Sequence, residues 1–395
     1  MHTPFVRLIL TVASKGLLGC SHRLRCARLP SDSRVAFRVV IHEPQTLPGE
    51  PTLHPHQVCS LCNPVFLDKS TVVSCAGPFA GPLDGPHPRG GIVAVENPLA
   101  AQAGATILAH GGNAIDAIVA TNAVMGVIEP MINGIGGDLF AIVYDAKTHK
   151  LYGLNASGWS PQKLTIDFLA SKGVTNMPHL GIDSVTVPGA VDGWSKLLSR
   201  FGTKNFSEVL APAIYYAREG VPVPEWDAEY WHEFADETGF ALQDRGALFT
   251  LDPSSPDALA GHKRPLHTII PAFMERGDDR IVFGIMGGFN QAQAHAQFVS
   301  DVVDFGMNIQ ACLESPRFTK LTFHGCDVAM EDRIPESIRN ALIARGHQIE
   351  LRGDYSDVMG GGQAVQRDFK SGVNYGAPDP RKDGEAIPEL PSLRQ

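Results

Sequence analysis

Residues 113–145 read NAIDAIVATNAVMGVIEPMINGIGGDLFAIVYD and set the architecture of the chain. Asn113 is a good helix N-cap, and the segment after it is apolar on nearly all sides as far as Val127, which predicts a buried helix. A glycine-rich loop at 133–138 follows. Two strands, 139–144 and 150–154, come next and are joined by a short turn. A buried helix that leads through glycines into a hairpin is typical of a layered α/β domain.

The same alternation continues on both sides of this stretch. Before it, a strand at 92–95 leads to Asn97 and Pro98, an N-cap and first-turn pair that opens a helix ending at Gly111–Gly112. After it, helices are predicted at 190–199, 207–218, 291–305, 309–313 and 336–345. Strands are predicted at 267–274, 280–285, 327–330, 347–351, 362–367 and 373–375. With helices on both outer faces, the prediction is an α+β fold, a four-layer αββα sandwich.

Composition excludes several classes of function. The 395 residues are 44% hydrophobic and 19% charged, with a net charge of −9, which argues against nucleic acid as a partner. No apolar run approaches the roughly 18 residues of a membrane span. We therefore expect no transmembrane segment.

The first 90 residues differ from the rest. They hold 9 Lys and Arg against 5 Asp and Glu, and they contain 5 of the 7 cysteines. Residues 1–90 are expected to be an irregular, disordered or atypical extension that ends in a Pro/Gly linker at 76–90. The apolar segment 5–13 is interrupted by Arg7, so secretory and mitochondrial targeting stay open, although a cytoplasmic location is favoured.

One cluster in this extension has the residue types that zinc prefers. His54, His56, Cys59 and Cys62 form an H-x-H-x₂-C-x₂-C pattern. No second ligand pair stands at a zinc-finger spacing, so no metal site is expected.

A series of short motifs runs through the remainder of the chain and resembles the γ-glutamyltranspeptidase (glutathione hydrolase) family. The motifs lie at 100–116, 127–137, 184–189, 263–268, 284–288, 304–307, 315–318, 345–347 and 379–384. Their order divides the chain into a large-subunit-like half at 91–237, a small-subunit-like half at 238–385 and a tail at 386–395.

The resemblance implies a fold and a chemistry. The fold is that of the N-terminal-nucleophile hydrolases, in which a precursor cuts itself before a threonine whose hydroxyl then attacks a γ-glutamyl amide. The backbone N–H groups of Gly287 and Gly288 are the oxyanion-hole candidates. His267 and Thr268 replace a serine pair and are the substrate-binding candidates. The implied substrate is glutathione or a glutathione conjugate, with neither a cofactor nor a metal.

The chain departs from this pattern at its most important position. No Thr-Thr pair occurs anywhere, and the expected nucleophile segment is missing between Glu237 and Thr238, so no catalytic residue is assigned. Neither Thr238 nor Thr268 is expected to substitute. The αββα sandwich is therefore expected to lack its central strand. Unpaired neighbouring strands would need another strand, or another chain such as a full-length relative in a heteromer.

Two further departures concern the ligand pocket. The family's carboxylate-gripping arginine falls near 157–159, which contain none, and its acidic residue falls near Ala247 and Leu248. Three interpretations stay open. The protein transfers or hydrolyses γ-glutamyl groups, in thiol detoxification or secondary metabolism, or it is an inactive relative or fragment that acts by binding. Alternatively, the junction is an error in the assembled gene.

Overall fold

The computed structural model describes residues 6–11, 90–222, 240–322 and 324–389. The strands in these ranges are β1 (Val6–Thr11), β2 (Ile92–Val95), β3 (Leu139–Asp145), β4 (Lys150–Ala156), β5 (Ala272–Arg276), β6 (Asp279–Ile285), β7 (Phe318–Thr319), β8 (Asp327–Met330), β9 (Gln348–Leu351), β10 (Gly362–Asp368), β11 (Val373–Pro378) and β12 (Glu385–Pro388). The helices are α1 (Pro98–Ala109), α2 (Ala114–Ile128), α3 (Ile166–Ser171), α4 (Ala190–Phe201), α5 (Phe206–Glu219), α6 (Asn290–Val303), α7 (Ile309–Glu314) and α8 (Glu336–Ile343). The predicted mixed α/β fold is confirmed.

Two capped helices open the first half. Asn97 caps α1 by accepting a hydrogen bond from the Leu99 N–H, and Pro98 takes the first helical position. Asn113 caps α2 through a capping box, in which the Asp116 carboxylate accepts from the Asn113 N–H at 2.8 Å. Both caps satisfy N–H groups that a helix start leaves without partners. The predicted starts of these helices are confirmed.

The first hydrophobic core lies between these helices, α4, α5 and the β3–β4 hairpin. Its fully buried members include Ile115, Val119, Val124, Leu139 and Leu197. α2 is buried along most of its length, as its sequence predicts, because helices and the hairpin surround it.

The second core belongs to the other half. Strands β11, β10, β6 and β5 form one antiparallel sheet in that order, and α6 and α7 cover it. The buried side chains that join sheet and helices include Phe283, Ile285, Phe298, Leu313 and Ala364. Hairpins link β5 to β6 and β10 to β11, so this sheet is assembled largely from neighbours in the chain.

Strand β3 faces both halves. Alternate side chains of a strand point to opposite faces, and Leu139, Ala141 and Val143 belong to the first core. On the other face, the Tyr144 ring stacks on the Phe273 ring of β5, with ring centroids 5.2 Å apart. The order of packing is therefore helices, first sheet, second sheet and helices.

The outer edge of β3 pairs with a strand from far away in sequence. β1 runs antiparallel to β3, with Val6 opposite Asp145 and Thr11 opposite Phe140, and β4 lies on the other side. A strand thus occurs within residues 1–90, a region expected to be irregular; the rest of that region up to residue 89 lies outside the described residues. β1 thus gives β3 a second neighbour in the sheet.

Two other predictions differ from the structure. Residues 267–271 were expected to belong to a strand, but β5 begins only at Ala272. The reason is Pro271, which has no N–H to donate to a sheet ladder. At the other end, Ala386, Ile387 and Pro388 of the predicted tail belong to β12, which pairs with β2.

A buried cluster of charges fixes the loops of the second half. The Glu331 carboxylate accepts from Arg381 Nε and Nη2, both at 2.6 Å, and from the Arg317 N–H at 3.0 Å. Asp379 pairs with Arg317 at 2.6 Å and with Arg381 at 3.1 Å. Burial alone would raise the pKa of Glu331, but the bonds from Arg381 and the Arg317 N–H hold it below its usual range. We call these four residues the buried charge cluster.

Candidate functional site

The candidate oxyanion-hole glycines lie where β6 ends and α6 begins. Gly287 and Gly288 have φ angles of +134° and +59°, a region that favours glycine. Both residues are exposed, and their N–H groups donate to no residue in the described parts of the chain. They also stand at the positive end of the α6 dipole. Two adjacent free donors at a helix start can bind an oxyanion or a polarised carbonyl oxygen.

A glutamine connects these glycines to the second pair of predicted residues. The Gln291 N–H donates to Gly288 O at 3.1 Å, and its side-chain Oε1 accepts from the Ile270 N–H at 3.0 Å. The segment that carries His267 and Thr268 is thereby held against the first turn of α6. The structure brings both predicted pairs into one region.

Thr268 and His267 differ in their surroundings. The Thr268 hydroxyl is half-buried and bonds to no residue among those the structure describes. The His267 ring lies on Phe140, with centroids 4.2 Å apart, and its Nδ1 is 3.0 Å from Ile269 O. Burial, reinforced by nearby Arg245, lowers the pKa of His267 below its ordinary value.

Asn290 is a polar residue of this region that the sequence did not single out. Its side chain is 7% exposed, and neither amide atom has a hydrogen-bond partner in the described structure. Its Nδ2 lies 3.3 Å from where a Cβ on Gly287 or Gly360 would stand. Nothing in the local sequence pattern distinguishes this amide from an ordinary first-turn residue.

A second unpredicted feature is the ion pair between Asp138 and Arg245. Asp138 closes the glycine-rich loop and also accepts from the Gly158 N–H at 2.9 Å. The loop itself requires glycine at 136, because a Cβ there would meet Ala241 O at 2.1 Å. The pair joins the large-subunit-like half to the segment that follows the junction. The two residues are 107 positions apart in the sequence, and no local pattern signals their pairing.

The resemblance implies an arginine near 157–159. The structure has the side chain of Arg264, from a distant part of the sequence, at this position. Arg264 Nε donates to Ser157 O at 2.8 Å, and its guanidinium lies 3.8 Å from the centre of the Trp159 ring. Such stacking suits the planar guanidinium. The expected acidic position, Ala247 and Leu248, lies in a 3₁₀ turn at 245–248 and carries no charge.

Several predicted features cannot be placed. Glu237, Thr238 and the group His54, His56, Cys59 and Cys62 lie outside the described residues. Within the described ranges, no group of three or more His, Cys, Asp or Glu side chains could hold a metal ion. No helix in those ranges is long and apolar enough to cross a membrane.

The fold defines a class of protein. The architecture matches that of the N-terminal-nucleophile hydrolases. A cephalosporin acylase from Bacillus halodurans superposes with a TM-score of 0.72 and 26% sequence identity, over 79% of this chain and 99% of that one.

The chain belongs to the γ-glutamyltranspeptidase family. The family's sequence profile matches residues 100–237 and 234–389. A glutathione hydrolase-like YwrD proenzyme from Bacillus subtilis is 23% identical over 509 residues, covering 73% of this chain and 96% of the relative. A glutathione hydrolase proenzyme from the same species is 33% identical over 153 residues, which is 38% of this chain but only 26% of that relative.

Proposed function

We propose that the protein is a γ-glutamyltransferase or glutathione hydrolase-like protein whose site recognises the γ-glutamyl amide of glutathione or a glutathione conjugate. The observation that carries the proposal is the pair of free N–H groups of Gly287 and Gly288 at the start of α6. The amide carbonyl oxygen would accept from both. These bonds strengthen as negative charge develops on that oxygen during acyl transfer.

The polar groups around the glycines support a ligand with several hydrogen-bonding groups. The Thr268 hydroxyl can donate to a carboxylate, and the buried Asn290 amide offers both a donor and an acceptor. A buried amide without partners costs about 1–3 kcal/mol. A ligand that bonds to it would recover this free energy on binding.

The acyl-transfer step requires a nucleophile, and the sequence has no Thr-Thr pair. We propose that a segment with this nucleophile and the central strand is missing at the junction, so that the αββα sandwich is incomplete. Two findings support this. The two profile matches meet at 234–237, and the alignment with the YwrD relative runs over 509 residues, longer than this chain.

A second candidate function is ligand binding without turnover, which the missing nucleophile favours. In a heteromer, a full-length relative would supply the catalytic residue. Both candidates share the same ligand and differ in whether this chain alone releases glutamate.

One experiment separates the two candidates. The purified chain is incubated with glutathione, free glutamate is measured by mass spectrometry against a heat-denatured control, and the melting temperature is recorded with and without ligand. Glutamate release supports transfer or hydrolysis. A raised melting temperature without release supports binding alone. If neither occurs, the proposed function is wrong.

Substitution at Thr268 tests whether the ligand contacts the proposed site. Thr268→Val removes the hydroxyl at nearly constant volume and should weaken glutathione binding by roughly 10- to 150-fold, since one lost hydrogen bond to a charged group costs about 1.5–3 kcal/mol. Thr268→Ser should restore it. Thr175→Val, at an exposed position in the loop after α3, is the matched control. Equal affinity in Thr268→Val and Thr175→Val would place the ligand elsewhere.

A further inference from the structure

The outer edge of β3 is a place where this fold accepts a strand. β3 is an interior strand, since Leu139, Phe140, Ala141 and Val143 are each less than 5% exposed. β4 pairs with one edge through a local hairpin, and β1 pairs with the other. Without β1, the second edge would present a row of unpaired N–H and C=O groups at the centre of the molecule.

The elements that surround β1 are all formed by other parts of the chain. β1 lies beside β3 in the sheet and also adjoins α2 and β6. These three elements belong to the two cores and pack against other parts of the chain. The site thus specifies a strand that pairs with β3 in an antiparallel register, whatever chain that strand comes from. We call it the β3 strand site.

The connection between β1 and the rest of the fold is long. Residues 12–89 separate Thr11 from Gly90, and fully extended they could span at most roughly 260 Å. A connection of this length does not force the strand to pair within its own chain. The entropic advantage of pairing within one chain also falls as the connection lengthens.

We propose that the β3 strand site is an exchangeable interface, and that its partner is Val6–Thr11 of a second copy of this chain. Two copies would trade their first strands reciprocally and form a closed, two-fold symmetric dimer. Every backbone pair would be the same as in the single chain. Such an exchange creates no new strained contact, so protein concentration decides between the two forms.

Paired cysteines placed in the observed register test the exchange. Leu8 is opposite Val143, and opposite residues of antiparallel strands lie about 4.5–5.5 Å apart at Cα, within the range that a disulfide spans. The Leu8→Cys/Val143→Cys chain is prepared in unlabelled and ¹⁵N-labelled forms, which are mixed, unfolded, refolded together and oxidised. The linked peptides are identified by mass spectrometry, which separates this link from any that involve native cysteines.

The labels show which chain supplied each strand. Complete exchange predicts that about half of the 8–143 links join a labelled to an unlabelled chain, with the fraction rising with protein concentration. If every 8–143 link joins two peptides with the same label, at every protein concentration, the proposed exchange is wrong. No link at all would overturn the strand site itself. Leu8→Cys/Leu154→Cys is the control, because Leu154 lies on β4, on the far side of β3.

A second measurement uses the chain without substitutions. After refolding at increasing concentration, light scattering should show a growing dimer fraction that stays dimeric on dilution until the chain is unfolded again. A monomer at all concentrations would contradict the proposal. Neither measurement depends on glutathione, so this inference and the proposed function can fail independently.

Discussion

The two halves of the molecule are stabilised by different means. The first half, 90–222, packs small and aliphatic side chains between α1, α2 and the β3–β4 hairpin. The second half, 240–389, encloses the buried charge cluster, in which Arg381, Glu331 and Asp379 have fully buried side chains. Truncating an apolar side chain leaves a cavity, whereas removing one member of the cluster leaves a buried charge without its partner, which costs about 3–5 kcal/mol. The second half should therefore be the more sensitive to single polar substitutions and to pH.

The largest expected effect follows from removing one member of the buried charge cluster. Arg381→Ala leaves Glu331 and Asp379 without their main cation and should lower the free energy of unfolding by about 3–5 kcal/mol. Urea unfolding measures this. Arg352→Ala, which breaks an exposed pair with Glu350, is the matched control and should change stability by at most about 1 kcal/mol. Equal losses in both variants would mean that burial does not govern these pairs.

A second effect is the acid sensitivity of the second half. His295 Nε2 accepts from the Ile285 N–H at 3.0 Å, and burial, with nearby Arg317, lowers the pKa of His295 to about 4. The folded pKa lies below the unfolded value of about 6.5, so this contribution is present above pH ~6.5 and lost as pH falls toward 4. The loss should reach about 3 kcal/mol.

His295→Gln keeps a side-chain acceptor and removes the titration. Its stability, measured by urea unfolding between pH 4 and 7, should therefore fall less steeply with acid than that of the unsubstituted chain. The stability that Asp301 contributes depends on pH in the opposite direction. Burial raises its pKa to about 6, so its contribution is lost as pH rises through 6, and Asp301→Asn should not flatten the acid limb. If the stability of His295→Gln falls between pH 7 and pH 4 as steeply as that of the unsubstituted chain, other groups cause the acid sensitivity.

The smallest effect compares two helix caps, one in each half. Asn113 caps α2, and its Nδ2 also donates to Phe201 O at 2.6 Å, whereas Asn308 caps α7 by accepting from the Ala311 N–H alone. Asn113→Ala should cost about 2 kcal/mol and Asn308→Ala about 1 kcal/mol. Thermal unfolding of both variants gives the difference. A larger loss of stability in Asn308→Ala than in Asn113→Ala would contradict this prediction. It would mean that the bond from Asn113 to Phe201 O adds nothing to the capping of α2.

Local signals were sufficient for much of the fold. Asn97, Asn113 and the glycines after α1 mark helix ends through bonds between near neighbours, and the structure has those ends where they were predicted. The strand predicted at 267–274 begins only at Ala272, because Pro271 interrupts the apolar run with a residue that has no N–H to donate. Apolar pattern alone cannot show that a ladder donor is absent.

The candidate site was predictable only in part. Gly287, Gly288, His267 and Thr268 stand in recognisable motifs, and the structure gathers them around Gln291. Three other contacts join segments that are distant in sequence. They are the ion pair of Asp138 with Arg245, the stacking of Arg264 on Trp159 and the pairing of β1 with β3. Nothing in the period or spacing of either partner encodes such contacts.

The position of β1 also has a consequence for synthesis on the ribosome. β1 is made before β3, with residues 12–138 between them. At roughly 5–20 residues per second, β1 waits about 6–25 s for its partner strand to be made. During that interval the first sheet cannot close, and its apolar strand is open to chaperones and to aggregation. The yield of folded protein in a cell is therefore expected to depend on translation speed and on chaperone supply, independently of the stability that the finished fold attains.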